Sequence, residues 1–400
     1  MAYAQGRGPA NWTTVGYDAQ RTSWLKTDPK ISAESLSTPG FQFLWKLKLN
    51  GPMVILDPYT GYRGHKSLGF VAGYGIDIDL GIVEWQNGGH GSATFCSEGP
   101  KSAVTRPTSP RPNVIYAIYP DGMLRTQYVS NGAEVEPPIK FLPPDVGVLG
   151  LIVLGNVAYA ETRGCQSEKS AVWSLDLASK EINQWSTNTA EIASTNGPAF
   201  GPDGAVYWSG ANSLAILEPK SLKPKTPVVT STSEFTSSPV VFQFGDKLLV
   251  AAATKDGGIQ LFAGQNLTEA AKGDSAARAL ATWQDPSGTR WILAAGTHAI
   301  TAWKVVDHNG VPTMQPGWVS RDILSPLPPI IVNGVVFAAS SGNLTAKLYA
   351  LDGLTGKELW NSANSITSSG RFGGLSAGGS QIYLSANDGT LYAFGFPMEH

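Results

Sequence analysis

A block of about 45 residues recurs eight times along this chain, and no other feature constrains the fold so tightly. Its clearest mark is a short apolar strand core: Phe70-Val71-Ala72, Ile115-Tyr116-Ala117, Ala158-Tyr159-Ala160, Val206-Tyr207-Trp208, Leu249-Val250-Ala251, Ile292-Leu293-Ala294, Val336-Phe337-Ala338 and Ile382-Tyr383-Leu384. The steps between the central residues are 45, 43, 48, 43, 43, 44 and 46, the length of a four-stranded sheet with its turns. A Pro- or Gly-led apolar run precedes most of these cores, as in Gly197-Pro198-Ala199-Phe200 and Pro328-Pro329-Ile330-Ile331. A polar turn and a third run follow, as in Asn387-Asp388-Gly389 before Thr390-Leu391-Tyr392, which is a hairpin signal. No stretch sustains a 3.6-residue apolar period, so the pattern predicts an all-β chain, an eight-bladed β-propeller of four-stranded antiparallel blades.

Such a ring has one weak point, the seam where the last blade meets the first. The final repeat, ending near Phe396, holds residues for only three strands, whereas the alternating run Phe41 to Leu49 precedes the first full repeat. That run is therefore predicted to supply the outer strand of the last blade. Residues 1–40 become a lead-in, 41–49 the closing strand and 50–396 the eight repeats of a single domain.

Composition excludes several function classes. The 400 residues carry a net charge of −2 and no block of Lys and Arg, which argues against nucleic acid as a partner. With 45 Gly, 27 Pro and only 15% charged residues, the chain suits short strands and tight turns. No apolar run approaches the ~18 residues a membrane-spanning helix needs. His65, His90, His298, His308 and His400 show no zinc-type pairing, and no metal site is predicted. Gly374-Leu375-Ser376-Ala377-Gly378 spells a nucleophile elbow but falls in a strand–turn–strand repeat, where that motif has no strained strand-to-helix turn. Asp77-Ile78-Asp79-Leu80-Gly81 with Glu84 is too short for a calcium loop and aligns with a repeat turn. Gly88-Gly89-His90-Gly91 reads as a glycine-rich connection between blades.

The segment Ala350-Leu351-Asp352-Gly353-Leu354-Thr355-Gly356-Lys357-Glu358-Leu359-Trp360 resembles the repeat of the PQQ-like (quinoprotein-type) β-propellers. Asp77, Gly81 and Trp85 keep its spacing, Asp176 and Trp185 stand one residue further apart, and Trp318 ends another repeat. Trp12, Gly16, Asp18 and Arg21-Thr22 are similar to the lead-in that often precedes such repeats. The resemblance implies structural roles for Ala350, Asp352, Thr355, Gly356, Trp360, Trp85 and Trp185, with each Trp wedged between blades and the Asp and Thr-Gly closing a turn. The family contains quinone-dependent alcohol and sugar dehydrogenases as well as non-catalytic scaffolds. The dehydrogenases usually hold PQQ with a neighbouring-cysteine disulfide, a stacking Trp and calcium ligands. Cys96 and Cys165 are too far apart in sequence to form that pair, and no position here carries over as a quinone or calcium ligand.

Propellers gather ligands at the loops before each innermost strand and between second and third strands. The residues expected there are Arg106, Arg163, Lys169, Lys255, Asp256, His298, Arg371 and Asp388. The favoured expectation is thus an exported, monomeric scaffold that binds a protein or a small polar or carbohydrate ligand on this loop face and needs no cofactor. The alternative is a quinone-dependent oxidoreductase using PQQ with calcium. A periplasmic or secreted location is suggested by Ala2-Tyr3-Ala4 before Gln5, which has the form of a signal-peptide cleavage site. A disulfide between Cys96 and Cys165 would agree with that location, and two buried thiols remain the other reading of the pair.

Overall fold

The central residue of every one of the eight apolar cores lies in the second strand of its own sheet: Gly64–Val71, Val114–Ile118, Val157–Arg163, Val206–Gly210, Lys247–Ala253, Arg290–Ala295, Val335–Ala339 and Gln381–Ala386. The computed structural model describes residues 11–49, 51–61, 64–87, 100–107, 111–164, 170–186, 196–256, 258–275, 277–342 and 345–397, with Phe372 described by its backbone alone. Eight sheets, blades 1 to 8 in chain order, form the propeller; blades 1 to 6 pair their strands in sequence order from the axis outward, and blades 7 and 8 add strands from the N-terminal segment. Two adjoining faces cover the middle of each second strand, and some, such as Val335–Ala339 and Arg290–Ala295, are buried along their whole length. Among the described residues the helical content is a single turn, Ala33–Leu36, capped by Ser32.

The predicted clasp is present. Gln42–Lys48 pairs antiparallel with Thr390–Gly395 and is the outer strand of blade 8, with Leu47 opposite Leu391. Blade 7 departs from the expected four strands. Trp24–Leu25, from the lead-in, pairs parallel with its innermost strand Ile330–Val332 and makes a five-stranded sheet. The nucleophile-elbow spelling falls inside the strand Gly370–Gly378, and Asp77 is a turn residue whose Oδ1 accepts the amide protons of Asp79 and Leu80.

Tryptophans join neighbouring blades at three seams in the same way. The turn between third and fourth strands closes with an N–H donated four residues back, from Gly81 to Asp77 in blade 1, Gly132 to Tyr128 in blade 2 and Gly356 to Asp352 in blade 7. Each of these glycines has a positive φ, and a Cβ on any of them would stand 2.4 Å from a Trp ring of the preceding blade. The indoles of Trp45, Trp85 and Trp318 lie over Gly81, Gly132 and Gly356, and donate to the carbonyls of Ile78, Val129 and Gly353. Trp360 has no such turn to meet, because blade 8 takes its fourth strand from the N-terminal side of the chain. It packs edge-on to Phe41 and Phe394 and stays half-buried.

Candidate functional site

The innermost strands of a propeller leave one hydrogen-bonding edge facing the channel, and those groups need partners. Here the lead-in supplies them. Trp12 exchanges backbone bonds with Ile55 of blade 1, Thr13 O accepts from Arg106 N of blade 2, and Thr14 Oγ1 donates to Leu151 O of blade 3. Further along, the carbonyls of Ala19, Gln20, Thr22 and Ser23 accept from Phe200, Val241, Thr282 and Ile331 of blades 4 to 7. Successive residues thus meet successive blades around the axis. Gly16, Tyr17, Arg21 and Ser23 all have positive φ, and Asp18 fixes the bend by accepting from Thr22 N and Oγ1 at 2.9 and 2.7 Å.

Arg21 is the hub of this arrangement. Its guanidinium is fully buried and donates to Pro198 O, Thr14 Oγ1, Val15 O and Gly150 O at 2.7–3.0 Å. Burial lowers its pKa to about 10 even though Asp18 and Glu161 favour the cation. The sequence marked Arg21 as part of a lead-in, but carried no sign that it would tie blades 3 and 4 to the axis.

The expected ligand-face residues divide between the two ends of the ring. Lys255 and Asp256 follow the second strand of blade 5, His298 that of blade 6, Asp388 that of blade 8 and Arg163 closes that of blade 3, all at the loop end as expected. Several engage neighbours: Lys255 Nζ with Glu234 at 2.8 Å, His298 Nδ1 with Asp322 at 3.4 Å, and Asp388 with Lys48 at 3.2 Å. Arg371 begins the innermost strand of blade 8, where burial lowers its pKa. Arg106 is a correction. It follows the innermost strand Ala103–Thr105 and so sits at the turn end, away from the loops with which the sequence grouped it. Lys169, Cys96 and Cys165 lie outside the described residues.

Two cavities stand out. One, of about 590 Å³, is lined by the long first hairpin of blade 1 and by blade 2, with Tyr59, His65, Lys66, Asp77 and Glu84 on its walls. Lys66 and Glu84 are paired across it at 2.6 Å, and burial raises the pKa of Asp77. The other, of about 350 Å³, opens at the turn end of the axis between the lead-in and blades 2 and 3. Arg106, Asn11, Tyr17 and Asp18 line it, together with Ile152 and Val153. Burial raises the pKa of Asp18 and lowers that of Arg106 to about 10.

No protein-family model matches the chain, and no curated protein does. Solved structures do share its fold. A quinohemoprotein alcohol dehydrogenase from Comamonas testosteroni aligns with a TM-score of 0.65 at 12% identity, over 98% of this chain and 81% of that one. A europium-containing methanol dehydrogenase aligns at 0.67 and 10% identity, over 97% and 98%. BamB from Moraxella catarrhalis aligns at 0.55 and 14% identity, over 89% and 100%. At such identities the likeness shows the propeller fold and nothing of chemistry. Calcium with PQQ would need a cluster of oxygen ligands. Among the described residues no three His, Cys, Asp or Glu side chains come together as a cation site.

Proposed function

We propose that this chain is an exported binding scaffold that takes a protein or a polar, carbohydrate-like partner on its loop face. The observation that carries this reading is the state of the polar side chains at that face. Lys255 with Glu234, His298 with Asp322 and Lys48 with Asp388 form solvent-exposed pairs at that face. Exposed pairs of this kind add little stability and leave charge available to a partner, whereas acid–base catalysis calls for desolvated groups with shifted pKa values in a cleft. BamB, whose fold this chain shares, gives the reading a precedent in form only.

Adding PQQ and calcium while following thermal unfolding and dye-linked alcohol or sugar oxidation tests it. No saturable stabilisation and no turnover is the expected result; stabilisation with turnover would replace the scaffold with the oxidoreductase. Export has its own measurement. Thiol counting under denaturing, non-reducing conditions should find no free thiol if Cys96 and Cys165 are bonded in an oxidising compartment, and two free thiols would remove that support.

A further inference from the structure

The cavity at the turn end of the axis contains an arginine that no carboxylate among the described residues is paired with. Arg106 is only 6% exposed. Its Nη1 donates to Asn11 Oδ1 and its Nη2 to Pro112 O, both at 3.2 Å, and both acceptors are neutral. Its Nε is buried with no hydrogen-bond partner. Guanidinium groups taken out of water are normally met by carboxylates or phosphates, since desolvation costs more than neutral carbonyls return. Arg21, a few residues along the lead-in, shows the contrast, with every nitrogen engaged and two carboxylates in its field.

Asp18 lies on the same cavity but does not serve Arg106. Its two oxygens accept from Thr22, and the cations acting on it are Arg21 and Lys26, not Arg106. Its position still shapes what could enter. A carboxyl group on one wall opposes a second negative charge, and Ile152 and Val153 offer an apolar wall for a short hydrocarbon part. The volume, about 350 Å³, is at the small end of ligand sites.

We propose that this cavity is a binding site for a small organic monocarboxylate, held by Arg106 beside Asn11 and Tyr17. The proposal does not depend on the loop-face reading, because the two surfaces lie at opposite ends of the ring.

Titration calorimetry of the full chain with lactate, alanine and sulfate tests it, repeated on Arg106→Met. Lactate or alanine should bind saturably to the wild type, and Arg106→Met should lose at least tenfold in affinity while keeping or raising its melting temperature without ligand. Tighter binding of alanine than of lactate would show Asp18 receiving the ammonium group, and the reverse would show an uncharged neighbour there; either supports the site. Absence of saturable binding of both carboxylates to the wild type overturns the proposal, a result that needs no variant to fold. Equal affinity of Arg106→Met also overturns it, and sulfate binding as tightly as lactate overturns the choice of a monocarboxylate.

Discussion

The seams on either side of blade 1 and those on either side of blade 4 fill the same wedge from opposite directions. At blade 1, the upstream blade reaches forward: Trp45 covers Gly81, and Trp85 covers Gly132 of blade 2. At blade 4, the turn residue itself fills the gap. Leu222 and Leu267 occupy the position held elsewhere by glycine, each with positive φ and an N–H bonded four residues back. Leu222 clusters with Ile152, Tyr159 and Val172 of blade 3, and Leu267 with Tyr207 and Ile216 of blade 4. A left-handed conformation costs an L-residue about 1–2 kcal/mol, which burial of a leucine offsets at about 1.5–3 kcal/mol. Glycine is therefore required where an indole of the preceding blade lies directly over the turn; at blade 4 Trp185 of blade 3 meets Trp208 instead, and Leu222 fills the turn position beside them.

Deleting residues through Leu49 should have the largest effect on this contrast. It removes the outer strand of blade 8, the Trp45 contact on Gly81 and the axial segment together. The expected product is insoluble or associates through the exposed edge of Thr390–Gly395. A soluble monomer with the original melting temperature would show that neither clasp nor axial segment supports the ring.

Next in size is a pair of tryptophan truncations. Trp318→Ala should cost about 3–5 kcal/mol in denaturant unfolding, since the ring is 9% exposed and its indole N–H is bonded. Trp360→Ala should cost less, about 1–2 kcal/mol, because its ring is half-buried against Phe41 and Phe394. The reverse order would mean that resemblance to the repeat, and not the neighbour that the Trp meets, decides its weight.

Substitution at the turn position itself gives changes of opposite sign. Gly356→Ala places a Cβ against the Trp318 ring at positive φ and should destabilise by about 2–4 kcal/mol. Lys180→Gly, at the same turn position of blade 3, relieves a positive φ on an exposed residue and should be neutral or stabilising by up to about 1 kcal/mol. Equal costs would dissolve the distinction between the two kinds of seam.

The smallest effect concerns the aspartates that open these turns. Asp176 has its pKa lowered, first by the Ser179 amide and then by Lys220, so its stabilising contribution is present above the usual carboxylate value near ~4 and is lost as pH falls below it. Asp77 has its pKa raised by burial, so its ionised form disfavours the fold above that value and the penalty disappears on acidification. Melting temperatures between pH 3 and 7 should show Asp176→Asn less stable than wild type by a margin that is full at neutral pH and begins to narrow below about pH 4, and Asp77→Asn more stable at neutral pH by a margin that disappears on acidification. Changes of the same sign in both would contradict the assigned environments.

How much could be read in advance differs between fold and site. The eight anchors, the three-strand final repeat and the alternating run before the first repeat were enough to place the blades and the clasp. The site was legible only in pieces. Lys255, His298 and Asp388 fall at the loop end because they follow second strands, whose position the period gives. Arg106 was misplaced because the innermost strand of blade 2, Ala103–Thr105, is only three residues long, and a shift of a few residues moves a side chain from one end of the ring to the other. The axial role of Arg21 left no local mark, since its partners Gly150 and Pro198 are backbone carbonyls more than 120 residues away.

By itself, then, the sequence determined the number of blades, the order of their strands and the origin of the closing strand. These follow from hydrophobic alternation and turn chemistry, which act over a few residues and repeat with the chain. Only the tertiary structure decided which residue fills each wedge, where the lead-in runs and which buried arginine is balanced. Those outcomes depend on groups that meet across blades, and a buried charge is costly or harmless according to neighbours that no local pattern records.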